Sequence, residues 1–405
     1  MGRALNISKN QVAGVGACAS LFFGSFGDEA AQVSFALHLA DGSAASPAEV
    51  SALLSAGLAG GIIAGPVGSR LLSAIGARRM ITVIVIAEAL LIAAASTMNE
   101  LWWYLTISAA LGCLGSALWS AVLVAIPALA LAESGIDRAN RMVQSVRNCG
   151  YVVGPLLGSA LFAVSHGTRG LLGLAVLMLA AALGALVSLR SLVAPTVGRE
   201  GSPDGPKGVD VVGLLRTPGV LRALLPLIVT VLVTSALNVL LIVRIRSELS
   251  LSATAYGVVV ASLSIGLVLG PILFAKTVGR IGARAGASLA AAVIGAAIVA
   301  LGAVSAPWQL IVAAVIVGIA NGVQNALMAG FIMKAVDAGH RARRMPAYVL
   351  ILQSTVFSGF IAAGFIHISA AGAALIAVGV IAVVAGSAGV AVNRNVNPHS
   401  KEATL

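Results

Sequence analysis

Two adjacent carboxylates, Asp28 and Glu29, lie near the middle of the first long apolar segment of the chain. An ionisable side chain at the centre of a membrane helix costs about 2.5–3.5 kcal/mol by insertion scales, so it usually faces a cavity or a partner. A carboxylate that is neutral in dry surroundings and ionised when water enters can bind and release a proton. We therefore predict a proton-coupling site at Asp28 and Glu29, whose titration belongs to the pair.

Helical periodicity separates these two carboxylates. At 100° per residue, Asp28 shares a small and polar stripe with Gly24, Gly27 and Gln32, whereas Glu29 points with neighbouring aromatic side chains. We expect Asp28 to carry the coupled proton and Gln32, one turn on, to contact a substrate. The alternative is that Asp28 only bonds a neighbouring helix.

A second polar face follows from the spacing i, i+3, i+4, i+7, i+11 in the fifth apolar segment. Its members are Gln144, Arg147, Asn148, Tyr151 and Pro155. A polar face of this length is not expected to meet lipid. We predict that Arg147, Asn148 and Tyr151 bind substrate, with snorkelling or phosphate contact as the alternative for Arg147.

The same segment carries a ladder of small residues at Gly150, Gly154 and Gly158. Small residues four apart let membrane helices approach closely, so the ladder predicts a packing face. Pro155 adds a bend to this face.

Further polar and aromatic residues in other apolar segments complete the predicted substrate site. They are Trp119, Asn238, Gln324, Gln353 and Phe357. Each could instead bond two helices together, but as a set they form an amide and aromatic lining suited to an amphipathic organic molecule. The role of Glu88 stays open. No metal-ligand spacing occurs, so neither a metal nor another cofactor is predicted.

The composition explains where these residues must lie. Of the 405 residues, 59% are hydrophobic and only 10% are charged, with a mean hydropathy of +1.03. Soluble domains carry about 25% charged residues, so a soluble protein is excluded. The three cysteines lie in apolar stretches without a disulfide framework. The chain is predicted to be an all-α, multi-pass membrane protein embedded in a lipid bilayer.

Apolar segments of 18 residues or more predict twelve membrane-spanning helices. They fall at about 12–39, 49–70, 79–98, 102–130, 142–165, 171–194, 219–243, 256–275, 286–304, 308–334, 347–368 and 372–391. The longest joint, rich in Pro, Gly and charges, separates them into two groups of six. We predict an N-terminal bundle at 1–194, a cytoplasmic linker at 195–218, and a C-terminal bundle with its tail at 219–405.

The distribution of Lys and Arg orients these helices. With a cytoplasmic N-terminus, 21 basic residues fall in tails and inner joints, whereas Arg169, Arg244 and Arg246 lie outside. The positive-inside rule then predicts that both termini are cytoplasmic. This asymmetry accounts for the net charge of +11 without a nucleic-acid partner. Arg outnumbers Lys 20 to 5, which favours the inner membrane of a GC-rich bacterium.

The two halves repeat a pattern. Gly65-Pro66 and Gly270-Pro271 are separated by 205 residues, and Ile75-Gly76-Ala77-Arg78 returns 206 residues later at Ile281-Gly282-Ala283-Arg284. Repeats in one orientation predict a parallel duplication of six helices.

With these motifs the chain resembles the major facilitator superfamily along nearly its whole length. The joint after the second segment is similar to the family motif G-x-x-x-D-R-x-G-R-R at Gly76 and Arg78, and Arg79 adds a charge. The leading Gly and the acidic position are Ser69 and Ser73. The resemblance implies a two-bundle transporter whose joint at Gly76, Arg78 and Arg79 takes part in gating.

The fifth segment resembles the antiporter motif G-x-x-x-G-P-x-x-G-G at Gly150, Gly154, Pro155 and Gly158, with Ser159 in the last place. This motif, with Asn148 and the Gly24–Asp28 string, is similar to the drug:proton antiporters that include macrolide and siderophore exporters. The resemblance implies a monomeric transporter with no cofactor that exports a small amphipathic compound in exchange for protons.

Three other functions remain open at this point. An importer, by proton symport or uniport, would have the same helices and much of the same polar lining. A membrane-embedded enzyme would need a catalytic motif, but H-E-x-x-H and G-x-S-x-G are absent. A membrane-embedded sensor would be expected to carry a large soluble domain. We therefore expect a transporter and not an enzyme.

Overall fold

The structure is a computed structural model that describes residues 2–41, 46–129, 136–165, 168–188 and 209–394. Within these ranges the chain is helical, apart from turns and short joints, and contains no β-strand. The helices are α1 Gly2–Asp41, α2 Pro47–Ala95, α3 Leu101–Leu129, α4 Ile136–Ser165, α5 Leu171–Ser188, α6 Val211–Arg216, α7 Val220–Val243, α8 Ala253–Gly279, α9 Ala283–Ala303, α10 Pro307–Ala335, α11 Arg341–Gly364 and α12 Ala371–Arg394.

Helix α2 contains both the second and the third predicted spans. It has 49 residues, which at 1.5 Å per residue is about two and a half times the thickness of a bilayer core. The break lies at Gly76, whose φ of 77° and ψ of 156° are not helical. Gly282, between α8 and α9, has nearly the same conformation, with φ 93° and ψ 140°. The repeated motif thus forms the same backbone turn in both halves.

Ten segments of the described residues are long and apolar enough to cross a membrane. The remaining two predicted spans lie in α1 and in the second part of α2. The predicted fold class, an all-α membrane protein, is confirmed, with about ten to twelve helices of membrane-spanning length among the described residues. The six-residue helix α6 was not predicted and is too short to span a bilayer.

The helices form two compact units. Unit N contains α1, α2 from Ala52, α3, α4, α5 and the part of α8 up to Ala261. Unit C contains α6, α7, the rest of α8, α9 to α12 and the first turn of α2.

Small residues allow the helices of each unit to pack closely. In unit N, a methyl group at Gly61 of α2 would lie 2.9 Å from the Ser116 hydroxyl of α3. In unit C, a methyl group at Gly322 of α10 would lie 2.7 Å from Pro271 of α8. Cys113 also acts as a packing residue, because its thiol donates to the Gly60 carbonyl at 3.0 Å.

Two hydrogen-bonded clusters of unit C contain charged residues and lie near helix ends. Asp210, the N-cap of α6, accepts from Gly213 N at 2.8 Å and from Arg344 Nε at 3.1 Å. After α7, Arg244 donates to Glu248 at 2.6 Å, and Glu248 accepts from Gly372 N at 3.0 Å. These clusters join α6 to α11 and α7 to α12.

Candidate functional site

The two carboxylates of α1 lie in unit N and face different helices. A methyl group at Gly115 of α3 would lie 2.6 Å from Asp28 Oδ2. A methyl group at Gly154 of α4 would lie 2.5 Å from Glu29 Cβ. Asp28 therefore borders α3 and Glu29 borders α4, which agrees with the different directions predicted by helical periodicity.

The glycine ladder holds α4 against this part of α1. A methyl group at Gly150 would lie 2.9 Å from Ser25 Cβ, and one at Gly158 would lie 2.5 Å from the Ala30 carbonyl oxygen. At each glycine of the ladder, α4 thus approaches α1 so closely that a side chain would collide with it. This packing sets the height of α4 relative to the acidic pair.

The Arg147 guanidinium of α4 lies over two aromatic rings. Its guanidinium carbon is 4.4 Å from the Trp119 ring centroid and 5.1 Å from that of Tyr151. Stacking of this kind orients the planar cation and adds about 0.5–2 kcal/mol per contact. Arg147 is also close enough to Asp28 and Glu29 to interact electrostatically with both. The structure therefore groups five of the predicted site residues.

This group is electrostatically unbalanced. One guanidinium can neutralise one carboxylate, but two carboxylates face it. The buried Asp28 Oδ1 has no hydrogen-bond partner among the described residues. Leaving a buried charge without a partner is costly, so such a carboxylate is suited to taking up a proton.

Gln32 connects three helices next to the acidic pair. Its Nε2 donates to the Ser108 hydroxyl of α3 at 2.7 Å, and Ser108 donates to the Leu53 carbonyl of α2 at 3.0 Å. Gln32 Oε1 is buried without a partner among the described residues. The side chain thus combines a structural bond with one free acceptor.

Glu88, in the second part of α2, is a member of this region that helical periodicity did not assign. It is fully buried, and a methyl group at Gly24 of α1 would lie 3.0 Å from its Oε2. The available sequence signal was an acidic residue inside an apolar segment. The side of α2 on which it lies depends on how α2 packs against α1.

The remaining predicted residues of α4 differ in exposure. Asn148 is half-buried, like Arg147 and Tyr151, whereas Pro155 is buried and Gln144 is exposed. The polar face therefore does not stay covered over its whole length, and Gln144 lies at its uncovered end.

The predicted substrate residues of unit C lie in different environments. Gln324 is buried, and its Nε2 donates to the Thr230 hydroxyl and to the Ala287 carbonyl, both at 3.3 Å. It therefore bonds α10 to α7 and α9, the alternative considered for residues of this type. Asn238 is exposed, and Gln353 and Phe357 are half-buried.

The joint in α2 exposes its basic residues to different degrees. Arg78 is half-buried and Arg79 is exposed, directly after the turn at Gly76. Among the described residues, no group of three or more His, Cys, Asp or Glu side chains could hold a metal ion.

Comparison with protein families identifies the chain at the level of its fold. The model of the Major Facilitator Superfamily matches residues 17–243, more than half of the chain and all of the helices that form the acidic site. The chain belongs to the major facilitator superfamily. It is thus a transporter by family, with a small-molecule substrate and a membrane setting.

Solved structures of other transporters in this family resemble the protein along nearly its whole length. They include the nucleoside transporter NupG, with 14% identity, a TM-score of 0.68, and coverage of 96% of this chain and 99% of that chain. The peptide transporter POT in complex with sulfate has 15% identity, a TM-score of 0.70, and coverage of 95% and 94%. A bacterial metal transporter has 15% identity, a TM-score of 0.64, and coverage of 93% and 98%.

At these identities the likeness concerns the fold alone, because one fold carries many substrates. No curated protein matches the chain.

Proposed function

We propose that this superfamily member is a proton-coupled exporter of a small amphipathic organic compound, of the drug:proton antiporter type. The observation that carries the proposal is the group formed by Asp28, Glu29, Arg147, Trp119 and Tyr151 in the membrane part of unit N. It combines acidic, cationic and aromatic side chains, which suits a molecule with both polar and apolar parts.

In this proposal Asp28 carries the coupled proton. Arg147 can neutralise only one carboxylate. Glu29 lies against α4, the helix that carries Arg147. The buried oxygen of Asp28 lacks a partner among the described residues, so protonation of Asp28 relieves an unpaired charge. A group whose protonation depends on access to water can bias an alternating-access equilibrium.

The rest of the site is proposed from both halves of the chain. Gln32 and Asn148 in the first half, and Asn238, Gln353 and Phe357 in the second, would contact the substrate. Residues 1–194 and 219–405 would act as the two moving bundles, joined by 195–218, with the turn at Gly76, Arg78 and Arg79 as part of the gate. The transporter would act as a monomer without a cofactor.

We further propose a bacterial inner-membrane location with both termini in the cytoplasm, because of the asymmetry in basic residues. Single cysteines placed in a cysteine-free variant test this topology. A cysteine beside Ser43 or Ser252 should react with an impermeant maleimide from outside, and one beside Asp204 or His340 only from inside. Labelling beside Asp204 from outside would contradict the proposed orientation.

Transport in proteoliposomes tests the function itself. A panel of fluorescent amphipathic compounds, including ethidium and rhodamine 6G, would be assayed with and without an imposed pH gradient. Asp28→Asn should abolish gradient-driven transport but leave binding measurable, whereas Glu29→Gln should impair transport less. Accumulation against a gradient by Asp28→Asn at the wild-type rate would mean that another group carries the proton or that the protein is a uniporter.

The same assay separates the main alternative, an importer by proton symport or uniport. Entry of a compound together with protons, or downhill movement unaffected by the pH gradient, would replace export. A membrane-embedded enzyme or sensor would give no gradient-dependent movement of any compound in the panel.

A further inference from the structure

Glu88 is the most completely buried carboxylate of the described membrane segments. Its exposed fraction is 0%, and neither carboxylate oxygen has a hydrogen-bond partner among the described residues. A buried acid that served only to join helices would donate its proton to a nearby acceptor, as Ser108 and Gln324 do with their own hydrogen atoms. Glu88 makes no such bond, so helix joining does not account for it.

The surroundings of Glu88 place it beside the proton site proposed above. Its carboxylate covers the bare backbone of Gly24, one helical turn before Asp28 on the same stripe of α1. One turn further along α2, Ile92 packs in the same way on Gly27, at 3.2 Å from where a methyl group would lie. The second part of α2 therefore runs along the face of α1 that carries Asp28.

Few charged groups can influence Glu88. Asp28 of α1 interacts with it electrostatically, and Asp28 in turn interacts with Glu29 and with Arg147 of α4. The neighbouring side chains of α3 and α5 at Gly24 and Gly27 are Leu118 and Met178, which are apolar. Arg147 thus interacts with Asp28 and Glu29, whereas the charged group that interacts with Glu88 is Asp28.

The protonation of Glu88 follows from its surroundings. An ionised carboxylate without a counter-charge or hydrogen bond is costly in an apolar interior, and two neighbouring carboxylates disfavour double ionisation. Since Glu88 has no exposed surface, a proton can reach it in this conformation only through a neighbouring group. Asp28 is the ionisable neighbour with which it interacts.

We propose that Glu88 is a second proton-binding residue, which exchanges its proton with Asp28 across the bare backbone of Gly24. In the exchange the Glu88 carboxylic acid gives its proton to the Asp28 carboxylate, leaving an ionised Glu88 and a neutral Asp28. The reverse transfer restores the first state, and water exchanges protons with Asp28. The inference rests on the proposed role of Asp28 and adds a second proton-binding residue to that site.

Infrared spectroscopy of the full-length protein in lipid tests this exchange without a substrate. The carbonyl band of protonated carboxylic acids would be followed during a pH titration and after transfer to deuterated water. Glu88→Gln should lose one carboxylic-acid signal per chain. Glu100→Gln, which removes an exposed carboxylate of the same type, should leave these buried-acid signals unchanged. In Asp28→Asn the Glu88 signal should remain but exchange deuterium more slowly.

The outcomes separate the two proposals. If Glu88→Gln and the wild type have identical spectra at every pH, Glu88 binds no exchangeable proton and the inference is overturned. If Asp28→Asn leaves deuterium exchange at Glu88 unchanged, the proton reaches Glu88 by another route, which also overturns it. If Asp28→Asn shows every carboxylic-acid signal of the wild type, Asp28 binds no proton, and the proposed function itself is contradicted.

Carbodiimide labelling of the unaltered protein provides a second measurement that does not depend on a variant folding. Dicyclohexylcarbodiimide is apolar and reacts with protonated carboxyl groups, whose proton passes to a carbodiimide nitrogen as the acylurea forms. Mass spectrometry should find the adduct on Glu88, with less labelling as the pH rises. No adduct on Glu88 at any pH would contradict the proposal.

Discussion

Gly154 of α4 and Gly359 of α11 are 205 residues apart and pack on the first long helix of their units in the same way. A methyl group at Gly154 would lie 3.0 Å from the Phe26 carbonyl oxygen and 2.5 Å from Glu29 Cβ. A methyl group at Gly359 would lie 2.6 Å from the Leu232 carbonyl oxygen and 2.7 Å from Ser235 Cβ. In both units the glycine thus meets residues three apart on one helix.

These equivalent contacts show where the halves differ. Ser235 occupies the position of Glu29, so Thr234 occupies that of Asp28. Counting back from the two glycines, Leu352 corresponds to Arg147 and Val356 to Tyr151. The second half therefore repeats the close helix packing but has no acidic or basic residue at the positions that correspond to Asp28, Glu29 and Arg147. The close helix packing is thus common to both halves, and the group of Asp28, Glu29, Arg147 and Tyr151 occurs in the first half.

The acidic residues of the second half lie in different places from Asp28 and Glu29. Between residues 219 and 394 the only acidic residues are Glu248 and Asp337, and both lie at helix ends. Glu248 is bonded to Arg244 and to a backbone N–H. Paired charges near an end stabilise a fold, whereas unpaired carboxylates inside a membrane indicate function. The predictions below test this division, beginning with the largest effect.

Gly154→Leu should abolish transport, because a leucine cannot fit between α4 and the backbone of α1. Overpacking of a tight contact costs about 1–3 kcal/mol and shifts the helices apart. Proteoliposome transport, with the amount of inserted protein measured by blotting, gives the result. Ser159→Gly is the matched control and should transport normally, since among the described residues the Ser159 hydroxyl donates a hydrogen bond only to Leu156 of its own helix. Wild-type transport by inserted Gly154→Leu would contradict the packing role.

Arg147→Ala should lower the transport rate by about tenfold or more, because two stacking contacts of about 0.5–2 kcal/mol each are lost. The carboxylates near it also lose their cation. Arg147→Lys should recover part of the rate, since the charge returns without the planar group. Leu352→Ala, at the corresponding position of the second half, should have a smaller effect. Equal losses at both positions would mean that the asymmetry between the halves has no functional meaning.

Glu248→Gln should lower the free energy of unfolding by about 1–3 kcal/mol, the usual cost of weakening a hydrogen bond to a charged group. The dependence of transport on pH should stay as in the wild type. Thermal unfolding in detergent measures the first effect and a pH series in proteoliposomes the second. Asp337→Asn, at an exposed position, serves as the control for loss of a carboxylate. A changed pH profile in Glu248→Gln would show that unit C also takes part in proton coupling.

Asp210→Asn should have the smallest effect. The Gly213 N–H and the Arg344 guanidinium lower the pKa of Asp210 below its ordinary value. A lowered folded-state pKa stabilises the protein above the unfolded-state value, and this stability is lost as the pH falls through the lowered pKa. The variant should therefore be slightly less stable than the wild type at pH 7 and equally stable in strong acid. Thermal unfolding from pH 7 down to acid pH measures this difference.

A double variant tests whether the Asp210 effect comes from its partner. Asp210→Asn combined with Arg344→Gln should lose less stability than the sum of the two single changes, because both single changes remove the same Asp210–Arg344 interaction. Additive losses would mean that the two side chains act separately.

Much of the site could be predicted along single helices. The helical period separated Asp28 from Glu29, and the ladder at Gly150, Gly154 and Gly158 indicated a close helix contact. These features repeat within one segment, so they require no knowledge of which helix lies opposite. Arg147 and Tyr151 were placed on one face for the same reason.

Residues on different helices were harder to relate. Glu88 is 60 positions from Asp28, and its segment alone does not show which face meets α1. Gln324 was predicted to bind substrate, but α7 and α9 provide hydrogen-bond partners for it inside unit C. An amide in an apolar segment looks the same in both cases, because the difference lies in its neighbours.

The sequence by itself determined the membrane class, the helical spans, the duplication and the positions of the polar residues on each helix. These follow from the length of apolar runs and from a local period of 3.6 residues. Only the tertiary structure decided that Arg147 lies over the Trp119 ring of another helix and that Glu88 lies against Gly24. Such contacts join segments far apart in the chain, and they depend on which small residues let two helices approach.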